Sequence, residues 1–234
     1  MSEKTLKDII EEIIKDAFNR INYAYQNHCE GFHKNVKPQN DEIKTRLVFP
    51  KYSDKENHDN SQEVRTRISE QELRFAFVEA FNDSSDVKKY NLFYSIETPT
   101  KRRYKGFAKG KPDIVPEGKD EGRSAAFDLV VFDDKLNRIC LIEFKAKTAS
   151  ESNHKKDLLK LKTEGDGVLR YFIEVEESYH EGTIKSLHKK VFSKGGYNED
   201  KKTEFRCYVL KSKDDEGNLC GENISEKVIN YKAK

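Results

Sequence analysis

Two apolar runs, residues 126–132 and 139–146, flank a short segment of charges and turn formers, Asp133 to Arg138. Runs of this length, bounded in this way, predict a β-hairpin. Pairing Asp133 with Arg138 leaves residues 134–137 as the loop, a common hairpin length. Counting back, Phe132 then faces Ile139, Val130 faces Leu141 and Asp128 faces Glu143. Directly opposed residues share a face of the sheet, and Lys145, two residues beyond Glu143, shares it too. Ile142 and Phe144 point to the other side. A slip of one residue would scatter the three charged groups, so this register makes a sharp claim.

Two carboxylates side by side at the end of apolar strands repel, and one is pushed towards protonation. A hard divalent cation removes the conflict, and Mg²⁺ is commonly held by one or two carboxylates plus waters and substrate phosphates. Such an ion polarises a phosphoryl oxygen and lowers the pKa of a bound water. Lys145 would orient or help deprotonate that water, or neutralise transition-state charge. The competing reading is a structural hairpin with a surface E-x-K ion pair, but like charges directly opposed fit it poorly.

Asp128, fourteen residues, then Glu143-Phe144-Lys145 resembles the PD-(D/E)xK motif of the restriction-endonuclease-like nucleases. The runs FDLVVFD and LIEFKAK resemble that superfamily's two central strands. Phe127 stands where the family usually has Pro. The resemblance implies an αβββαβ core with a central mixed sheet flanked by helices. It also implies metal ligation by Asp128 and Glu143, a catalytic Lys145, and a further acidic residue from the helix before the sheet. That helix is predicted over 69–81, with Ser69 as N-cap and Glu72 completing a capping box. Glu70 is the assigned acid, Glu72 the alternate and Glu79 a weaker one; acids complementing the helix dipole are the plain explanation for each. The Gln-x-x-x-Tyr signature of some relatives is absent from the helix predicted over 151–162, which argues against those subfamilies.

Charge is balanced, 44 basic against 42 acidic residues, so any nucleic-acid surface must come from local clustering. The densest cluster is 101–111, KRRYKGFAKGK, read as a loop or charged hairpin. Lys101, Arg102, Arg103, Lys105, Lys109 and Lys111 suit phosphate contacts, and Tyr104 and Phe107 could stack on bases. In the later helix, Lys155, Lys156, Lys160 and Lys162 could face the same backbone. A literal Pro112-Asp113 competes with Asp128 for the first carboxylate; it is set aside because Pro116, Gly118 and Gly122 mark a loop.

Residues 5–25 carry apolar side chains at three- and four-residue steps and predict an amphipathic helix, capped by Ser2 or Thr5. It is expected to pack on its own domain; a homodimer or partner interface is the alternative. Residues 30–67 are mostly polar, with 46–49 as a short strand or docked segment and 53–62 as loop. Further strands are expected over 90–98, 168–175 and 204–210, a helix over 182–192, loop over 214–222, and an undecided element over 224–231. The chain therefore divides into an N-terminal helix with its polar connector, 1–67, and a nuclease-like domain, 68–234, forming one compact unit. Cys29, Cys140, Cys207 and Cys220 are widely spaced, which predicts neither zinc nor disulfides, and Cys140 and Cys207 fall in strands as small buried hydrophobes. No apolar run approaches a membrane span, and a reducing cytoplasm is the expected location.

The sequence thus predicts an Mg²⁺- or Mn²⁺-dependent nuclease acting on DNA in restriction, repair or defence. The rival is a binding or interaction module of the same fold that does not cut. A packed, dry Lys145 would favour the rival.

Overall fold

The computed structural model describes residues 4–29, 44–52, 65–66, 68–109, 111–147, 149–193, 196–199, 201–213 and 219–232. The expected loop over 53–62 lies outside them. In chain order the elements are α1 (Leu6–Asn27), β1 (Lys51–Tyr52), β2 (Arg65–Thr66), α2 (Glu70–Asp83), α3 (Ser85–Lys89), β3 (Phe93–Lys105), β4 (Asp113–Ile114), β5 (Arg123–Phe132), β6 (Arg138–Ala146), α4 (Glu151–Glu164), β7 (Leu169–Glu176), α5 (Glu181–Phe192), β8 (Glu204–Lys213), β9 (Leu219–Asn223) and α6 (Ser225–Ile229). β1 and β2 pair as a small separate ribbon. The other strands form one mixed sheet in the order β4-β3-β5-β6-β7-β8-β9, with β6, β7 and β8 parallel and the remaining neighbours antiparallel. The parallel steps need crossovers, and α4 and α5 supply them.

Period-two alternation divides the core into two layers. Ile142, Phe144 and Ala146 of β6, with Leu129, Tyr171 and Ile173, pack under α1 and α2. Leu141, with Val130, Phe172 and Phe205, packs under Leu158 and Leu161 of α4 and Leu187 and Val191 of α5. On β6 the next two positions of that second face are Glu143 and Lys145, both buried. The strand places two charged groups where its pattern calls for apolar ones.

α1 is capped by Thr5, whose hydroxyl accepts the Asp8 N–H while the Asp8 carboxylate accepts the Thr5 N–H. Its stripe, Ile10, Ile14, Ala17 and Ile21, is covered by α2 and the sheet of the same chain. On its sheet-facing side, Glu11 accepts from Tyr171 Oη at 3.0 Å and from Arg206 Nε at 2.9 Å. Segment 46–49 is docked and not a strand of the sheet: Phe49 is buried against Tyr25 and bridges to Cys29. Cys140 and Cys207 are buried free thiols. Among the described residues no helix is long and apolar enough to cross a membrane.

Four expectations need correction. The hairpin register holds from Leu129↔Ile142 to Val131↔Cys140, but Phe132 then pairs with Arg138 across a bulge. The Asp133 carboxylate explains the shift, because it gathers the N–H groups of Lys135 and Asn137 and tightens the loop. β3 does not end at Thr98 but runs on through Lys101–Lys105. Pro99 has no N–H to offer, the ladder bulges after it, and the Thr100 hydroxyl accepts the Ala125 N–H at 3.0 Å. Residues 219–222, expected as loop, belong to the edge strand β9, which pairs with β8. Its Gly221 lies so close to α1 that a Cβ there would meet the Phe18 ring at 2.6 Å. Finally, Asp113-Ile114 is a short outer strand, paired with β3 at Lys105 and Tyr104.

Candidate active site

The β5–β6 ladder ends at Leu129↔Ile142, which leaves Asp128 and Glu143 as the next residues of the two strands, close enough for their charges to repel. One Asp128 oxygen accepts the Phe144 N–H at 2.7 Å, and the other accepts from Arg74 Nη2 at 3.0 Å. Lys145 Nζ reaches Asp157 at 2.8 Å, the Phe144 carbonyl at 2.8 Å and Glu70 at 3.1 Å. The four residues expected to form the site, Asp128, Glu143, Lys145 and Glu70, thus converge where α2 and α4 reach β5 and β6.

The start of α2 separates Glu70 from its alternates. Glu72 accepts the Ser69 N–H at 2.9 Å and closes the capping box. Glu79 takes the Thr45 hydroxyl at 2.7 Å, two turns further along the helix. Glu70, in the first turn, is left to face Lys145. Asp113 lies across β3 from β5, exposed, with its carboxylate accepting its own neighbour's N–H.

Arg74, Glu97 and Asp157, to which the sequence assigns no role, and Lys160, expected on a phosphate-facing surface, complete the cluster. Arg74 bridges Asp128 to Glu97, whose carboxylate it meets at 2.7 Å. Glu97 holds a left-handed φ of 48° in the middle of β3, a conformation that costs a non-glycine residue about 1 kcal/mol or more. Asp157 and Lys160 come from α4, which is fastened to β7 by the fully buried contact between His154 Nε2 and Glu174 at 3.1 Å. Lys160 Nζ lies 2.7 Å from Asp157, 2.7 Å from the Ala126 carbonyl and 2.6 Å from Glu143 Oε1. The last contact is a buried ion pair, which Glu143 Oε1 has in place of a well-formed hydrogen bond.

Burial dominates the electrostatics. It pushes the Glu143 carboxyl well above the usual carboxylate range, and repulsion from Asp157 and Asp128 adds to the push against Lys160 and Lys145. Burial likewise raises Glu70, partly offset by Lys145. For Lys145 burial works downward, but Asp157, Glu70, Asp128 and Glu143 together outweigh it, and the ammonium is held above its ordinary value. Lys160 is raised in the same way, burial being overcome by Glu143 and Asp157. Asp157, despite burial, is lowered by these two cations. A lysine so held is a donor and a charge, which suits orienting a water or neutralising an anion.

Among the described residues no three His, Cys, Asp or Glu side chains form a ready metal cage. Two neighbouring carboxylates, one with a buried oxygen that makes no well-formed hydrogen bond, nevertheless fit a hard divalent ion that completes its shell with water and phosphate oxygens. A cleft of about 420 Å³ opens beside Glu70, between the first turns of α2 and α4 and the end of β6.

The basic stretch is placed differently from the expected loop. Lys101 and Arg102 are exposed on β3, and their backbone N–H groups bond to Glu164 at 2.7 and 2.9 Å. Arg103 pairs with Asp120 and Lys105 with Glu121, so part of the positive charge is locally neutralised. Lys109 and Lys111 are exposed beyond the strand. Tyr104 is buried, stacked on Phe107 and bonded through its hydroxyl to Glu164, and cannot stack on a base. Lys160 belongs to the buried cluster and not to a phosphate-facing surface.

No family model, curated protein or solved structure matches the chain.

Proposed function

We propose that this chain is a divalent-metal-dependent nuclease of the PD-(D/E)xK type, hydrolysing phosphodiester bonds in nucleic acid, with DNA as the expected substrate. The observation that carries the reading is the fully buried Glu143 carboxylate, repelled by Asp128 and Asp157 and met by the Lys160 ammonium at 2.6 Å, beside Lys145. A purely structural hairpin gains nothing from burying a carboxylate next to like charges, because burial and repulsion both disfavour its charged form. With the short α3 and β4 left aside, the chain order α2, β3, β5, β6, α4, β7 is compatible with the αβββαβ core implied by the motif.

Asp128 and Glu143 would hold Mg²⁺ or Mn²⁺, which when bound supplies an activated water and polarises the phosphoryl oxygen. Arg74 and the Phe144 N–H fix the Asp128 carboxylate from two sides. Lys145, charged and steered by Glu70 and Asp157, orients the water and offsets the negative charge that develops on the phosphate. Exposed Lys101, Arg102, Lys109 and Lys111 contribute to holding the backbone.

One observation favours the second reading, a binding module that does not cut: Lys145 is only 6% exposed and already has three partners. Incubation of the purified protein with mixed DNA substrates and Mg²⁺ or Mn²⁺ separates the two. Cleavage by the parent and none by Asp128→Ala or Lys145→Ala supports the nuclease. DNA binding without cleavage supports the module, and equal cleavage by all three excludes this site.

A further inference from the structure

Lys160 sits in an oxygen cage. Its Nζ has the Ala126 carbonyl at 2.7 Å, Asp157 at 2.7 Å and Glu143 at 2.6 Å. The ring of Phe127, at the position where the resembled motif has Pro, lies 5.8 Å from the same ammonium and offers it a π face. Carbonyl and carboxylate oxygens around one point are also what a hard cation selects. One of these oxygens, on Glu143, belongs to the pair assigned above to the metal, and the ammonium meets it as a buried ion pair in place of a well-formed hydrogen bond. Lys160 is only 6% exposed, so it is built into the cluster and not merely resting on it.

We propose that Lys160 is a resident counter-cation for the metal site: its ammonium fills the divalent ion's place in the ion-free protein, and the ion must displace it to reach Glu143. This rests on the nuclease reading and adds a regulation to it. The site stays folded and charge-compensated without metal, and its affinity for metal is set by competition with an internal lysine. Lys145 is distinct in this respect. Its contacts run to Glu70, Asp157 and the Phe144 carbonyl, and none of its hydrogen bonds uses the Glu143 oxygen.

The test counts bound Mn²⁺ in the full-length protein without nucleic acid, by electron paramagnetic resonance of the free ion. Mildly alkaline, oxygen-free buffer keeps proton competition at Glu143 low. Lys160→Met keeps the side-chain stem and removes the charge; it is expected to bind Mn²⁺ about tenfold more tightly than the parent, since one buried repelling charge is gone. Adding Asp128→Asn should cancel the gain. Lys160→Gln serves as a second neutral variant should Lys160→Met not fold. Equal or weaker binding in the neutral variants overturns the counter-cation role and leaves the nuclease reading standing. A gain that survives Asp128→Asn overturns it as well, because the ion then binds elsewhere. No Mn²⁺ bound by parent or variants removes both this inference and the metal-dependent reading.

Discussion

Glu176, at the end of β7, offers a quantitative check on the buried charge around the site. Burial, with repulsion from Glu174 two residues back on the same face, pushes its carboxyl up to about 7 from an ordinary 4.5. The folded value lies above the unfolded one, so between them the folded chain holds the extra proton. Stability from this group is therefore full below about pH 4.5, declines as pH rises to about 7 and is flat beyond. At about 1.4 kcal/mol per pH unit the gap is worth about 3 kcal/mol, a ceiling because the side chain is only partly buried. Glu176→Gln is neutral at every pH and escapes this loss. Urea unfolding of parent and variant across that range should show equal stability at the acid end. The variant should lead by about 1–3 kcal/mol near pH 8. A stability difference that does not change with pH would refute the assignment of the raised value to Glu176, whatever its sign.

Other outcomes follow from the same geometry. Glu72→Ala removes a cap contact and should cost about 1 kcal/mol of stability with little loss of cleavage, whereas Glu70→Gln should leave melting nearly unchanged and lower kcat. The paired measurement of melting temperature and turnover tells the two roles apart. For nucleic-acid binding, Lys101→Ala with Arg102→Ala should reduce the salt dependence of affinity by about two charges' worth, and Arg103→Ala with Lys105→Ala by less, because Asp120 and Glu121 already offset those charges. Titrating binding against salt concentration reads both.

The hairpin was legible because a period of two leaves one register that buries Val130, Leu141, Ile142 and Phe144 together, and that register brings Asp128 and Glu143 to the end of the ladder. The bulge at Arg138 was not, since it depends on the Asp133 side chain gathering loop N–H groups. Asp157 reads in sequence as an ordinary helical charge, and Lys160 as one of several lysines turned to a phosphate backbone. The signal was there, however, because Asp157 falls on the stripe of His154, Leu158 and Leu161 that α4 turns to the sheet. Arg74 likewise sits one turn after Glu70, beside buried Leu73. A charge on an apolar stripe becomes informative only when the strand it faces is known to carry its opposite. Glu97 gave no such warning, as its left-handed backbone has no sequence signature. The basic stretch misled for another reason: a run of lysines hides the one buried ring, Tyr104, that pulls it into the sheet.

The contact between Glu11 and Arg206 spans 195 residues, and it lies on the face that α1 closes. Sequence-distant closure of this kind is entropically slow. α2 follows α1 closely in the chain and covers its side of the apolar stripe, but the side that meets β8 waits until α3 to α5 and the strands between have been made. Until then that side of the helix exposes apolar surface, the kind that chaperones hold and that aggregates when they do not. Assembly of the sheet's far edge thus becomes a late checkpoint on the whole molecule, and expression yield should depend on temperature and chaperone supply more than on the stability of the finished fold.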